Sequence, residues 1–358
     1  MSPFEQRIRA HLAELEQAGL RRTLRAPRGI DLSSNDYLGL ATHPCIVERM
    51  ASAVKELGAG STGSRLLRGQ RDCFEAVERK FAAFKGTERA LYFSSGYLAN
   101  IGVLTTFCEA ADVIHSAELN HASIIDGVRL SRAKGVVYPH ATVPQASSFV
   151  VTESVFSMDG DFAPLPALAA TGATLIVDEA HAVGIFGERG SGLIEETGIG
   201  KDVFLSINTA GKALGVSGAF VAGPEWAIEY LIQRARPFIF STAAPPAVAA
   251  AIDASLDVIA AEPERRERLR ALARYLRQRL GMPESDSPIV PFVLGENQRA
   301  VAVAEQLQAE GFDVRAIRPP TVPSGTARLR ISLNANLTEE ILDRFAAALE
   351  RATCKASS

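Results

Sequence analysis

The chain has 358 residues, 47% of them hydrophobic and 22% charged, with a formal net charge of -3 and a pI near 6.1. That length exceeds one small core and predicts two or three domains of an ordinary globular protein. A mildly acidic chain has no basic field to hold a nucleic-acid backbone, so nucleic acid is excluded as a partner. The four cysteines, Cys45, Cys73, Cys108 and Cys354, form no CxxC pair and no zinc spacing with histidine, so reduced, mostly buried thiols and no metal are expected.

Phe4, Ile8, Leu12 and Leu15 recur at helical spacing and stop before Gly19, which predicts a short amphipathic helix followed by an arginine-rich turn from Arg21 to Arg28. Charges interrupt the first fifteen residues every few positions, unlike a signal peptide. The long apolar stretch Ala243 to Ala261 carries two prolines and two aspartates, unlike a membrane span. A cytoplasmic protein that does not enter the membrane is expected. Gly58, Gly60 and Gly63 spell GxGxxG, but they follow a helical pattern where a dinucleotide site needs a strand.

From Ala90 to Ala222 the runs ALYF, DVIH, GVVY, SFVVT, TLIVD, VFLSI and GAFVA alternate with segments long enough for helices, which predicts an α/β unit with a mainly parallel central sheet covered by helices. Helical patterns from Ala247 to Leu280 precede the strand patterns IVPFVL, DVRAI and RLRISL, a smaller α+β C-terminal domain. The prolines near 245 suggest the hinge. The expected division is 1–36 as an N-terminal helix and arm, 37–243 as the large domain and 244–358 as the small one.

Four strings carry chemistry. TLIVDEAH ends a strand in Asp178, at the sheet edge where α/β proteins bind ligands, although an isolated aspartate there more often caps a turn. VFLSINTAGKALGVSG carries Lys212 among small residues that leave room for a flat ring or a phosphate, so the lysine is either a covalent anchor or a surface residue. FSSGYLAN presents Gly96 and Tyr97 at a helix start, a place for a phosphate or simply a capped helix. ELNHASIIDG places His121 just beyond the DVIH strand, to stack on a ring or to serve structure. DEAH also occurs in ATPases, but no GxxxxGK[ST] phosphate loop accompanies it.

SSNDYLGL, SGYLAN, NHAS, TESVFSMDGD, DEAH, GKALGVSG, FSTAAPP and AIRPPTVPSGTARLR occur in one order, and over nearly the whole chain they closely resemble the α-oxoamine synthases. The resemblance implies the fold of PLP-dependent transferases of fold type I, with pyridoxal 5'-phosphate (PLP) held by Lys212. It implies that Asp178 pairs with the ring nitrogen, that His121 stacks on the ring, and that Ser157 and His181 bond its phenolic oxygen. Gly96, Tyr97 and Thr209 match phosphate contacts. Ser241 and Thr242 match residues that reach the phosphate from a neighbouring subunit, which implies a homodimer.

Asn35, His121 and Arg330 match contacts to the amino acid's carboxylate, and Arg21 and Thr321 match acyl-substrate contacts. Arg318 falls in the same motif with its role open. SSNDYLGL and AIRPPTVPSGTARLR resemble the branch that condenses L-alanine with a pimeloyl thioester, carried by CoA or an acyl-carrier protein, while branches using glycine or serine stay open. Arg21, Arg22, Arg25 and Arg28 either steer the carrier's phosphate or form a solvated face.

Overall fold

The protein is described here by a computed structural model covering residues 1–145 and 148–355. It divides into two compact units, one of Met1–Ser34, Met158–Gly160 and Arg270–Ser358, the other of Asn35–Ser157 and Asp161–Leu269.

The larger unit is built on a seven-stranded sheet. Its strands are β1 (Arg89–Phe93), β2 (Val113–Ala117), β3 (Lys134–Tyr138), β4 (Phe149–Glu153), β5 (Thr174–Asp178), β6 (Val203–Thr209) and β7 (Ala219–Gly223). They lie in the order β1-β7-β6-β5-β4-β2-β3, with only β7 antiparallel to its neighbours. Each expected strand run forms a strand, because near-continuous apolar runs suit a sheet covered on both faces. β4 and β5 are buried at every position but the first, where each is half-buried.

On one face Leu91, Phe93, Val151, Ile176, Ile207 and Val221 pack with Val103 and Leu104 of the helix Gly96–Phe107 and with Ile124 of the helix Ala122–Ser131. Burying such branched and aromatic side chains contributes about 1.5–3 kcal/mol each and fixes the helices on the sheet.

The division differs from the expected one. No break falls at 243/244, because the helix Pro246–Ala261 has 11 of its 16 residues buried and packs on the helices Pro44–Leu57 and Asp72–Lys85. The units part instead within the helix Glu264–Arg279, at Leu269 and Arg270.

The N-terminal arm is not separate either. Ile30–Asp31 pairs in parallel with Phe312–Asp313 inside the smaller unit, and Asn334 Nδ2 donates to the Asp31 carbonyl at 3.2 Å. The run DVRAI is split, since the chain turns at Val314. Phe312–Asp313 serves one sheet, and Ala316–Ile317 pairs antiparallel with the strand Ala327–Ser332 of another.

The expected first helix spans Pro3–Gln17, capped by the Ser2 side chain, but Arg21–Arg28 is an exposed stretch without regular structure rather than a turn. The cysteines are free, yet Cys108 alone is buried; Cys73 is half-buried, and Cys45 and Cys354 are exposed. Cys45 and Cys73 stand in the first turns of the helices Pro44–Leu57 and Asp72–Lys85, and Cys354 in the last turn of the helix Glu339–Lys355, at positions those helices do not turn into the core. Among the described residues, no helix is long and apolar enough to cross a membrane, and no cluster of His, Cys, Asp and Glu could hold a metal ion.

Candidate active site

The parallel strands of the larger unit all end on one side, and their last residues or following turns supply the site. Asp178 is the last residue of β5 and is buried. Its Oδ1 accepts from the Ala180 backbone N–H at 2.8 Å, and its Oδ2 accepts from Asn100 Nδ2 at 2.7 Å. One hydrogen bond on each oxygen fixes the plane of the carboxyl group.

Asn100, from the helix Gly96–Phe107, also donates to Ser123 Oγ at 3.0 Å. Ser123 in turn lies 2.8 Å from His121 Nδ1 through its hydroxyl, and its backbone N–H donates to the same nitrogen at 3.2 Å. His121 Nδ1 therefore accepts, and in the neutral imidazole the proton sits on Nε2. Burial pushes the His121 imidazole below its ordinary value, Asp178 pulls it back up and Lys212 pushes it down, so the neutral ring is favoured.

Lys212 occupies the loop after β6. The turn closes through Gly215 N–H to the Lys212 carbonyl at 2.8 Å. Gly215 has a φ of 69°, and a Cβ there would sit 2.5 Å from the Ala41 nitrogen, so only glycine fits. Ala213 and Leu214 are buried in the core beneath.

Lys212 Nζ lies 2.8 Å from His181 Nε2, while His181 Nδ1 lies 2.7 Å from the Tyr37 hydroxyl. The Tyr37 hydroxyl donates to Asn35 Oδ1 at 3.0 Å. Since that donation uses the tyrosine's one proton, His181 Nδ1–H must donate to Tyr37, leaving Nε2 to accept from Lys212. The chain Asn35–Tyr37–His181–Lys212 thus sets one tautomer and aims the amine.

Gly96 opens its helix behind the cap Ser95, whose side chain accepts from Leu98 N–H at 3.2 Å. A Cβ on Gly96 would sit 2.7 Å from Thr209 Cγ2, so the bare glycine keeps a cradle open at the helix N-terminus. Thr209 Oγ1 donates to the Ala180 carbonyl at 3.2 Å. The Tyr97 side chain turns to Asp126, its hydroxyl hydrogen-bonded to that carboxylate. Ser157 is buried, and its N–H donates to Glu153 Oε2 at 3.2 Å.

The DEAH turn is held from behind. Lys85 Nζ meets Glu179 Oε2 at 2.5 Å, both wholly enclosed, and Glu179 Oε1 accepts from the Ile194 N–H at 3.0 Å. Glu179 therefore serves structure, while Asp178 and His181 on either side of it face the site.

Asn35, Gly96, Tyr97, His121, Ser157, Asp178, His181, Thr209 and Lys212 all belong to the larger unit. Ser241 and Thr242 belong to it too, but on the strip that pairs with Ser64 through a bridge at Thr242. Arg21, Thr321 and Arg330 belong to the smaller unit. There Arg21 pairs with Glu16 at 2.6 Å, Thr321 Oγ1 accepts from Arg22 Nη2 at 3.5 Å, and Arg330 is buried with its guanidinium on Ser332. Arg318 is tied by its guanidinium to the Gly19 carbonyl.

Reading motifs missed Tyr37, Lys85, Asn100 and Glu153. Tyr37 and Asn100 stand inside SSNDYLGL and SGYLAN, but their partners lie 144 and 78 residues away.

These residues fit PLP on structural grounds: a lysine amine beside a tautomer-fixed imidazole, a buried carboxylate ending a parallel strand, and a helix N-terminus that a Cβ would close. Comparison with known proteins agrees. The family described as aminotransferase class I and II matches residues 27–349. The chain belongs to that family.

Within the family, the 8-amino-7-oxononanoate synthase of Chromohalobacter salexigens is 46% identical, over 91% of this chain and 89% of that protein. Among solved structures, a serine palmitoyltransferase determined with PLP superposes with a TM-score of 0.91 at 28% identity, covering 100% of both chains. The 8-amino-7-oxononanoate synthase of Francisella tularensis superposes with a TM-score of 0.82 at 30% identity, covering 92% of this chain and 99% of that one. The resemblance drawn from motifs and the expected fold, a PLP transferase of fold type I, are thereby borne out.

Proposed function

We propose that this family member is a PLP-dependent acyltransferase that joins L-alanine to a pimeloyl thioester, releasing carbon dioxide, free thiol and 8-amino-7-oxononanoate for biotin biosynthesis. The carrying observation is the 2.8 Å approach of Lys212 to His181, one turn from a buried Asp178, in a chain 46% identical to an 8-amino-7-oxononanoate synthase. PLP, when bound, supplies an electron sink for the charge left on alanine's α-carbon.

The chain's residues do the rest. Lys212 would hold the cofactor covalently, and its amine would take alanine's α-proton and later return it. Asp178 keeps the ring nitrogen protonated, its plane fixed by Asn100 and Ala180. His181 and Ser157 meet the phenolic oxygen, and Gly96, Tyr97 and Thr209 hold the phosphate.

His121 would sit against the bound ring, with its Nε2 proton available to polarise the acyl carbonyl. Asn35, His121 and Arg330 take alanine's carboxylate, Arg330 through a guanidinium fork suited to it. Thr321 and Arg21 meet the acyl chain, for which Arg21 must leave Glu16. Arg318, bound to Gly19, is assigned to structure.

Ser241 and Thr242 serve the phosphate of a second copy, so the working form is a homodimer. The acyl carrier is CoA or an acyl-carrier protein, and because such thioesters are intracellular the enzyme works in the cytoplasm. It takes neither nucleic acid nor membrane as partner.

The test is spectroscopic. Purified protein is loaded with PLP, and its visible band is followed as L-alanine and then pimeloyl-CoA are added, with the product identified by mass. A band that answers to each addition, with 8-amino-7-oxononanoate formed, is expected. A response to glycine or serine instead of alanine overturns the substrate assignment, and the absence of any visible band overturns the cofactor assignment.

A further inference from the structure

Glu153 and Asp178 are the last residues of adjacent parallel strands and are partners in register. Partners in register put their side chains on the same face of a sheet, so the fold itself sets two carboxyl groups side by side. Glu153 is wholly buried. Its Oε2 accepts from the Ser157 N–H at 3.2 Å, the His121 backbone N–H also serves its carboxyl group, and its Oε1 has no hydrogen-bond partner. Its own backbone N–H donates to Asn120 Oδ1 at 3.0 Å.

The charged groups that act on it are Asp178 from β5 and Lys212 from the loop after β6, while His121, in the turn after β2, offers its backbone N–H. Two adjacent buried carboxyl groups do not both ionise; one keeps its proton. Which one follows from their partners. Asp178 receives a hydrogen bond on each oxygen, whereas one oxygen of Glu153 receives none. Burial first, and then Asp178, push the Glu153 carboxyl from 4.5 up to about 8, against the pull of Lys212 and the two N–H groups.

We propose that Glu153 is a further positioning residue of the cofactor site, an uncharged carboxylic acid that confines the buried negative charge to Asp178 and so keeps that charge on the ring nitrogen. This rests on the PLP reading above. Glutamine mimics an uncharged acid in shape and in its accepting oxygen, whereas leucine removes the acceptor for Ser157 and His121.

The experiment combines infrared difference spectra of the PLP-loaded protein with PLP binding and a pH titration of the visible band, for the wild type, Glu153→Gln and Glu153→Leu. The wild type should show the carbonyl band of a protonated carboxylic acid at about pH 6, lost toward about pH 10 and absent in Glu153→Gln. Glu153→Gln should bind PLP within about twofold of the wild type and leave the midpoint of the visible titration in place, while Glu153→Leu should lose about tenfold in affinity.

If the acid band is identical in the wild type and Glu153→Gln, or if Glu153→Gln moves the visible midpoint or weakens PLP tenfold, Glu153 acts as a charge and the proposal is overturned. If the wild type takes up no PLP at all, the cofactor reading falls first, a different result from normal uptake without the Glu153 acid band.

Discussion

Asn100 Nδ2 donates to Asp178 Oδ2 at 2.7 Å while bonding Ser123 Oγ at 3.0 Å, so one amide joins the strand-end carboxylate to the residue that orients His121. Asn100→Ala removes both links and leaves a buried carboxylate oxygen short of a donor, at a cost of about 1–3 kcal/mol. PLP affinity should fall roughly tenfold and the thermal midpoint should drop. A variant with unchanged affinity would show that Asp178 is held by its backbone bond alone.

Lys212→Ala should abolish turnover, by at least about 10³-fold, because the proposed function makes anchor and proton carrier one group. Borohydride reduction followed by mass analysis should find PLP attached to the wild type and not to the variant. Tyr37→Phe keeps the ring but removes the oxygen that accepts from His181, so the imidazole tautomer is no longer fixed. Here kcat should fall about tenfold with PLP still attached.

Gly96→Ala drives a methyl group to 2.7 Å from Thr209 Cγ2. Overpacking of this kind costs about 1–3 kcal/mol and should weaken PLP binding by a similar factor. Thr209→Ser deletes the methyl that clashes, so the double variant should recover most of the loss. Recovery measured by PLP titration separates a steric cradle from a general folding defect.

Lys85 and Glu179 form a buried pair at 2.5 Å behind the DEAH turn. Lys85→Met strands the Glu179 charge and should cost about 3–5 kcal/mol in denaturant unfolding, whereas the double change Lys85→Met with Glu179→Leu should cost much less. Equal losses in the two variants would mean that packing, not the charge pair, holds the turn.

Glu153 makes stability depend on pH. Its carboxyl is raised from 4.5 to about 8 in the folded chain, so folding binds a proton between those values. The associated stability is fully present below 4.5 and is lost as pH rises through about 8, a change on the order of 5 kcal/mol. The wild type should therefore lose thermal midpoint relative to Glu153→Gln between about pH 5 and pH 9. A difference that stays constant across that range would show that Glu153 is ionised throughout.

The sequence by itself determined the strands of the central sheet, because runs such as TLIVD are apolar at successive positions and only a covered parallel sheet buries both faces. It also singled out the side chains proposed to carry the chemistry, since Lys212, Asp178, His181 and His121 stand in short strings whose order is a local property of the chain. Tertiary structure alone decided what those side chains do to one another. The tautomer of His181 is set by Tyr37, the carboxyl plane of Asp178 by Asn100, and the neighbour of Glu153 by strand register. The division at Leu269 and Arg270, away from the prolines near 245, was decided the same way, by which core the helix Pro246–Ala261 enters. Hydrogen bonds and packing act between groups adjacent in space, and spacing along the chain does not record which distant segments become neighbours.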